Sequence, residues 1–198
     1  MQQAYKVMRR GIYLSPHTLY LLPKKLVDIA NQVLPVDTGI EIEINDVNCK
    51  LRNFSLFNHC NLVDINWSID EFRFRIPSGV KGLISLYDTL EVLKEHAGLN
   101  LDSGIHYHID CTQEFSQIVD KYIQNKNGFN WILDELDSWG YSGSYNKRQV
   151  SSIKTWVKLH QGCRTMEFRI GEMSFDYQLI VKRILHCHNI VKKVKRAL

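Results

Sequence analysis

The residues able to do chemistry gather in four short segments of alternating character. Glu41 and Glu43 alternate with isoleucines in GIEIEIN (39–45), and Glu71, Arg73 and Arg75 alternate with apolar residues in WSIDEFRFRI (67–76). His106 and His108 do so in GIHYHID (104–110), and Glu167 and Arg169 in CRTMEFRI (163–170). Carboxylates at i and i+2 of a strand repel unless a cation lies between them. Glu41 and Glu43, joined by Glu71 and Glu167, therefore read as a cradle for a hard divalent ion, Mg²⁺ or Mn²⁺. The forked guanidiniums of Arg73, Arg75 and Arg169 suit phosphoryl oxygens, although each could equally pair with a neighbouring glutamate. His106 and His108 have three readings: ordinary surface groups, a pair of zinc or manganese ligands, or phosphate contacts beside a carboxylate-bound metal. The arginines favour the third.

Strands must position these groups, because only period-two geometry puts i and i+2 on one face. The rule sorts each segment the same way. Ile40, Ile42 and Ile44 oppose the Glu41 face; Phe72, Phe74 and Ile76 oppose Arg73; Ile105, Tyr107 and Ile109 oppose the histidines; Met166, Phe168 and Ile170 oppose Glu167. A solvated face of any two-layer domain would alternate too, but such faces favour Thr, Ser, Lys and Gln over paired Glu, paired His and Glu-x-Arg. Further strands are predicted over 47–57 and 153–160.

Helices fall between the strands. Residues 24–34 repeat apolar positions at helical spacing and stop before Pro35. Residues 80–97 carry Leu83, Leu86, Tyr87, Leu90 and Leu93 on one stripe and are predicted to end at Gly98. A helix after Thr112 turns Phe115, Ile118, Val119 and Tyr122 inward, a short one covers 129–139, and the last runs from Ser174 as N-cap to the C-terminus. Without regular βαβ alternation, this order predicts an α+β domain over 37–198, a mainly antiparallel sheet with helices on one face, preceded by a helical extension over 1–36.

Composition narrows the setting. The chain has 198 residues, 44% of them hydrophobic, enough for one sizeable core. Its net charge of +4 comes largely from Lys192, Lys193, Lys195 and Arg196, so nothing in the overall balance asks for nucleic acid. That basic run has a plain alternative role, as cations at a helix C-terminus. The five cysteines are odd in number and contain no Cys-x-x-Cys pair, which argues against a disulfide framework or structural zinc. No run of about 20 apolar residues and no apolar leader is visible, so the expectation is a soluble cytoplasmic protein.

Taken in order, Glu41-Ile42-Glu43, Gly104 to Asp110 and Met166-Glu167-Phe168-Arg169-Ile170 resemble the amidoligase family, relatives of glutamine synthetase, over roughly residues 37 to 191. The resemblance implies a curved antiparallel sheet like the glutamine synthetase catalytic domain. It also implies an ATP- and Mg²⁺-dependent (or Mn²⁺-dependent) carboxylate-amine ligase that forms amide or peptide bonds through an acyl phosphate. By that resemblance Glu41, Glu43, Glu71 and Glu167 hold metal, Arg169 and Arg73 meet the transferred phosphoryl group with Glu71 beside them, and His106, His108, Arg75 and Lys158 lie near the nucleotide. Lys158 stands where the family often has Asn. The substrates would be small-molecule or peptide carboxylates and amines, and an open cup would allow copies to assemble as a homo-oligomer. Phosphoryl transfer asks mainly for metal ions and cationic clamps, which these strands carry without a Gly-x-x-x-x-Gly-Lys loop.

Two other classes compete. A metal-dependent hydrolase would use His106, His108 and Asp110 with Zn²⁺, with Cys111 or Cys163 as a nucleophilic variant. A catalytically inactive module on the same fold would serve structure or binding.

Overall fold

The computed structural model describes residues 7–9, 12–14, 36–44, 60–66, 71–99, 103–137, 139 and 157–198. The helix expected over 24–34 and the strand expected over 47–57 lie outside them. The described part of the N-terminal region is a two-stranded antiparallel ribbon, β1 (Val7–Arg9) with β2 (Ile12–Leu14).

The main domain is α+β with an antiparallel sheet. Among the described residues six strands, β3 (Thr38–Glu43), β4 (Leu62–Asn66), β5 (Glu71–Ile76), β6 (Gly104–Asp110), β7 (Val157–His160) and β8 (Thr165–Glu172), lie in the order β4-β5-β3-β6-β8-β7. Every neighbouring pair is antiparallel. β4 was not expected from the sequence, because LVDIN follows no strict alternation and its Val63 and Asp64 are both exposed.

Four α-helices accompany the sheet among the described residues: α1 (Gly79–His96), α2 (Phe115–Gln124), α3 (Trp131–Asp137) and α4 (Tyr177–Arg196). A 3-10 turn, Lys126–Phe129, separates α2 from α3, so the helix expected over 129–139 is shorter and later. The turn forms because Asn125 accepts the Gly128 amide with its side chain, which favours tight i to i+3 bonding over a continuing α-helix.

The alternation read from the sequence sets the core. Ile40, Ile42, Phe72, Phe74, Ile105, Tyr107, Met166 and Phe168 are each at most 2% exposed. Leu83, Leu86, Leu90 and Leu93 recur at helical spacing on α1 and are equally buried, each worth about 1.5–3 kcal/mol of hydrophobic burial. α1 packs on β5 and on α4, and α4 packs on β6. Among the described residues, these helices pack on the apolar face of the sheet, opposite the chemical one.

Both ends of the long helices differ from expectation. α1 stops at His96, and Ala97 turns to extended backbone, so Gly98 supplies no left-handed cap. α4 is capped by Asp176, whose carboxylate accepts from the Gln178 and Leu179 amides, while Ser174 Oγ accepts the Asp176 amide one step upstream. The inward face of α4 accordingly carries Ile180, Val181, Ile184, Cys187, His188, Ile190, Val191 and Val194, with Leu179 only half-buried. The basic end is used structurally: Lys193 pairs with Glu135 and Lys195 with Glu114 at 2.8 Å. These cations sit in the last turn, where the helix dipole favours them.

A buried hydrogen bond ties α4 to the strand that carries Glu41. Thr38 Oγ1 and His188 Nε2 are 2.9 Å apart. Burial, with Lys195 nearby, pushes the His188 pKa down to about 4, so the imidazole is neutral in the fold. No helix among the described residues is long and apolar enough to cross a membrane.

Candidate functional site

The sheet order places β3 between β5 and β6, with β8 beyond β6, so the four chemical segments are direct neighbours. Register then sets the partners. Glu41 lies opposite His106 on one side and Arg73 on the other; Glu43 lies opposite Glu71; His108 lies opposite Glu167. A bulge in β8 inserts one extra residue between the Ile105–Gly171 and Tyr107–Phe168 pairs, beside His106.

The resulting cluster is tight. His106 Nδ1 is 3.4 Å from Glu41 Oε2 and 3.3 Å from Glu167 Oε1. His108 Nε2 is 3.4 Å from Glu41 Oε1 and 3.9 Å from Glu167 Oε1. Arg73 reaches Glu41 at 3.3 Å, Asp64 at 3.3 Å and Glu71 more closely still. Arg169 Nε is 3.7 Å from Glu167 Oε1 and is buried without a hydrogen bond.

Burial and pairing perturb these groups strongly. Burial alone would push the Glu41 carboxyl up, but the adjoining His106 and His108 outweigh it and hold it well below the usual carboxylate range. Glu167 follows the same balance, with His106 and His160 bringing it down to about 2. Burial would lower His106, yet the hydrogen bonds it donates to Glu167 and Glu41 raise it to about 9. His106 is thus an imidazolium, 1% exposed, wedged between two carboxylates in the place a cation would favour. Glu71 moves the other way: burial and the Glu41 charge raise it, against Arg73.

The donor set fits a divalent ion. Glu41, His108 and Glu167 each offer an atom within 4.8 Å of the others. Two ligands about 2.0–2.1 Å from a tetrahedral zinc ion would stand roughly 3.3 Å apart, and neighbouring ligands of an octahedral Mg²⁺ roughly 2.9 Å apart; the spacing of 3.4 Å between His108 Nε2 and Glu41 Oε1 is nearer the first. His108 Nε2 is buried and makes no hydrogen bond, whereas its Nδ1 is hydrogen bonded to Thr165 Oγ1 at 3.2 Å. A metal-ligating histidine is commonly held in that way, one nitrogen anchored and the other free for the ion.

A cleft of about 760 Å³ opens beside the cluster, lined by Glu41, Arg73 and His108 at one end and by Asp37, Arg75 and Thr112 at the other. Its floor crosses Gly39, where a Cβ would come within 3.0 Å of the His108 Cβ. The missing side chain lets His108 lie against the β3 backbone.

Not every expected residue joins the cluster. Arg75 lies at the far end of the cleft, bound to Asp37 through Nε at 2.7 Å. Lys158 is opposite Glu167 in register, but its exposed side chain lines a separate apolar cavity of about 340 Å³. Glu43 is peripheral, 3.9 Å from His106 Nε2. Asp110 turns to the Thr112 amide and hydroxyl rather than toward the histidines. Cys111 is a core residue whose thiol burial pushes up to about 11, which removes it as a nucleophile.

One residue was missed. His160 Nε2 donates to Glu167 Oε2, and its ring lies 5.3 Å from that of His108. The signal was present, since His160 shares the Lys158 face of β7 by the same i, i+2 rule. No family model, curated protein or solved structure matches this chain.

Proposed function

We propose that the protein is an ATP- and Mg²⁺-dependent carboxylate-amine ligase acting through an acyl phosphate, and that its antiparallel sheet is of the glutamine synthetase catalytic type. One observation carries this reading. Two largely buried carboxylates from different strands, Glu41 and Glu167, converge on His106 and His108 between two arginines, Arg73 and Arg169. Carboxylate oxygens and an imidazole nitrogen that converge on one point suit a divalent ion, and arginines beside them suit phosphoryl oxygens.

Glu41 and Glu167 would hold the ion, with Glu43 and Glu71 completing the acidic wall. A bound Mg²⁺ would neutralise phosphate charge. Arg73 and Arg169 would orient the transferred phosphoryl group, and the cleft over Gly39 would hold the carboxylate and amine in line. His106, charged and buried, keeps Glu41 and Glu167 facing each other throughout.

Calorimetric titration with ATP, with and without Mg²⁺, tests the reading. Mg²⁺-dependent binding in the parent that disappears in a Glu41→Ala, Glu43→Ala double variant is the expected result. A Glu167→Gln variant that binds Mg-ATP as tightly as the parent would sink it. A metal-dependent hydrolase is the second reading, favoured by the imidazole of His108 in the donor group. Tight Zn²⁺ binding without any nucleotide binding would select it.

A further inference from the structure

We propose that His160 is a positioning residue of this metal centre, holding Glu167 so that one of its oxygens faces an ion shared with Glu41 and His108. The inference rests on the reading above that the cluster holds a divalent ion. It begins with the two oxygens of one carboxylate. The Glu167 side chain is 2% exposed, and its Oε2 receives the Nε2 proton of His160. Its Oε1 instead faces His106, His108 and Arg169 at 3.3, 3.9 and 3.7 Å. With Oε2 occupied, Glu167 presents a single oxygen to an ion shared with Glu41 and His108.

The two outer partners act in parallel. Thr165 holds His108 from behind as His160 holds Glu167, and the His160 and His108 rings pack at 5.3 Å with a 53° tilt. Outer partners of this kind typically set metal affinity by about 10–100-fold. Without His160, Glu167 could turn toward Arg169 and leave the shared position. What remains would be a looser site of Glu41 and His108. A set of two oxygens and one imidazole nitrogen in a constrained arrangement suits Mn²⁺, whereas Mg²⁺ prefers all-oxygen octahedra and keeps its waters. His160 is 38% exposed on the edge strand β7, so it can be replaced without opening the core.

The test is Mn²⁺ binding to the full chain followed by electron paramagnetic resonance, with Mg²⁺ as competitor, in the parent, His160→Gln and His108→Ala. The parent should bind Mn²⁺ more tightly than Mg²⁺. His160→Gln should weaken Mn²⁺ by about 10–100-fold. Hyperfine coupling to an imidazole nitrogen should persist in His160→Gln and vanish in His108→Ala, which separates positioning from ligation. Unchanged Mn²⁺ affinity in His160→Gln overturns the role of His160. A parent that binds neither ion overturns the metal centre as well. Mn²⁺ binding that depends on His160 in a protein that binds no ATP keeps this inference and removes the ligase.

Discussion

Two clusters in this molecule use the same residue types to opposite ends. Between α3 and α4, Trp139 Nε1 donates to His186 Nδ1 at 2.7 Å, which leaves the His186 proton on Nε2, 3.1 Å from Glu135 Oε2. Lys193 takes the other oxygen of Glu135. One carboxylate there meets a cation and an imidazole, and both imidazole nitrogens are engaged. On the polar face of the sheet, Glu41 and Glu167 share His106, and His108 Nε2 is left without a hydrogen bond. A closed network is a clamp. An open one, with donor atoms aimed at a common point, is a site for something else.

Removing one carboxylate from each cluster should separate them most. Glu167→Gln leaves the buried His106 imidazolium half-compensated, and should cost about 3–5 kcal/mol and abolish metal-dependent nucleotide binding. Denaturant unfolding and calorimetry read the two effects. A Glu167→Gln protein of parental stability and parental metal affinity would place the open cluster in the same class as the closed one.

A third histidine sharpens the contrast through pH. His188 has a folded pKa depressed from 6.5 to about 4, so its burial costs nothing above pH 6.5, and stability falls as pH drops from there toward 4. A gap of about 2.5 pK units corresponds to about 3 kcal/mol at the acid end. Denaturation curves at pH 7.5, 5.5 and 4.5 should show this loss in the parent and a smaller one in His188→Gln. Equal acid sensitivity in both proteins would relieve His188 of that role.

The smallest effects belong to the closed cluster. Trp139→Phe removes the indole donor to His186 and should cost about 1 kcal/mol. Glu135→Gln acts on a partly exposed pair and should cost about 0.2–1 kcal/mol. Neither should change Mn²⁺ or Mg²⁺ affinity, and a change in either would connect the two regions.

Much of the site was legible because strand alternation is local. Glu41, His106, His108 and Glu167 could be assigned to one face from spacing alone, and the burial of Ile40, Ile42, Ile105, Tyr107 and Phe168 on the other face agrees. Local capping was read less well. Ser174 and Asp176 are both competent N-caps, and the choice fell to Asp176 because α4 begins at Tyr177 to bring Ile180 and Ile184 onto the core.

Sequence by itself determined the polarity of the strands, the apolar stripe of α1 and the residue types offered on the polar face, since each follows from bond geometry within a few residues. Tertiary structure alone decided that Glu41 lies opposite His106, 65 residues away, and that Arg75 is drawn off to Asp37. It also decided that the edge histidine His160 reaches Glu167. Strand order, register and the β8 bulge are set by how the whole sheet packs against α1 and α4, and a shift of one residue would have turned every one of these side chains to the opposite face.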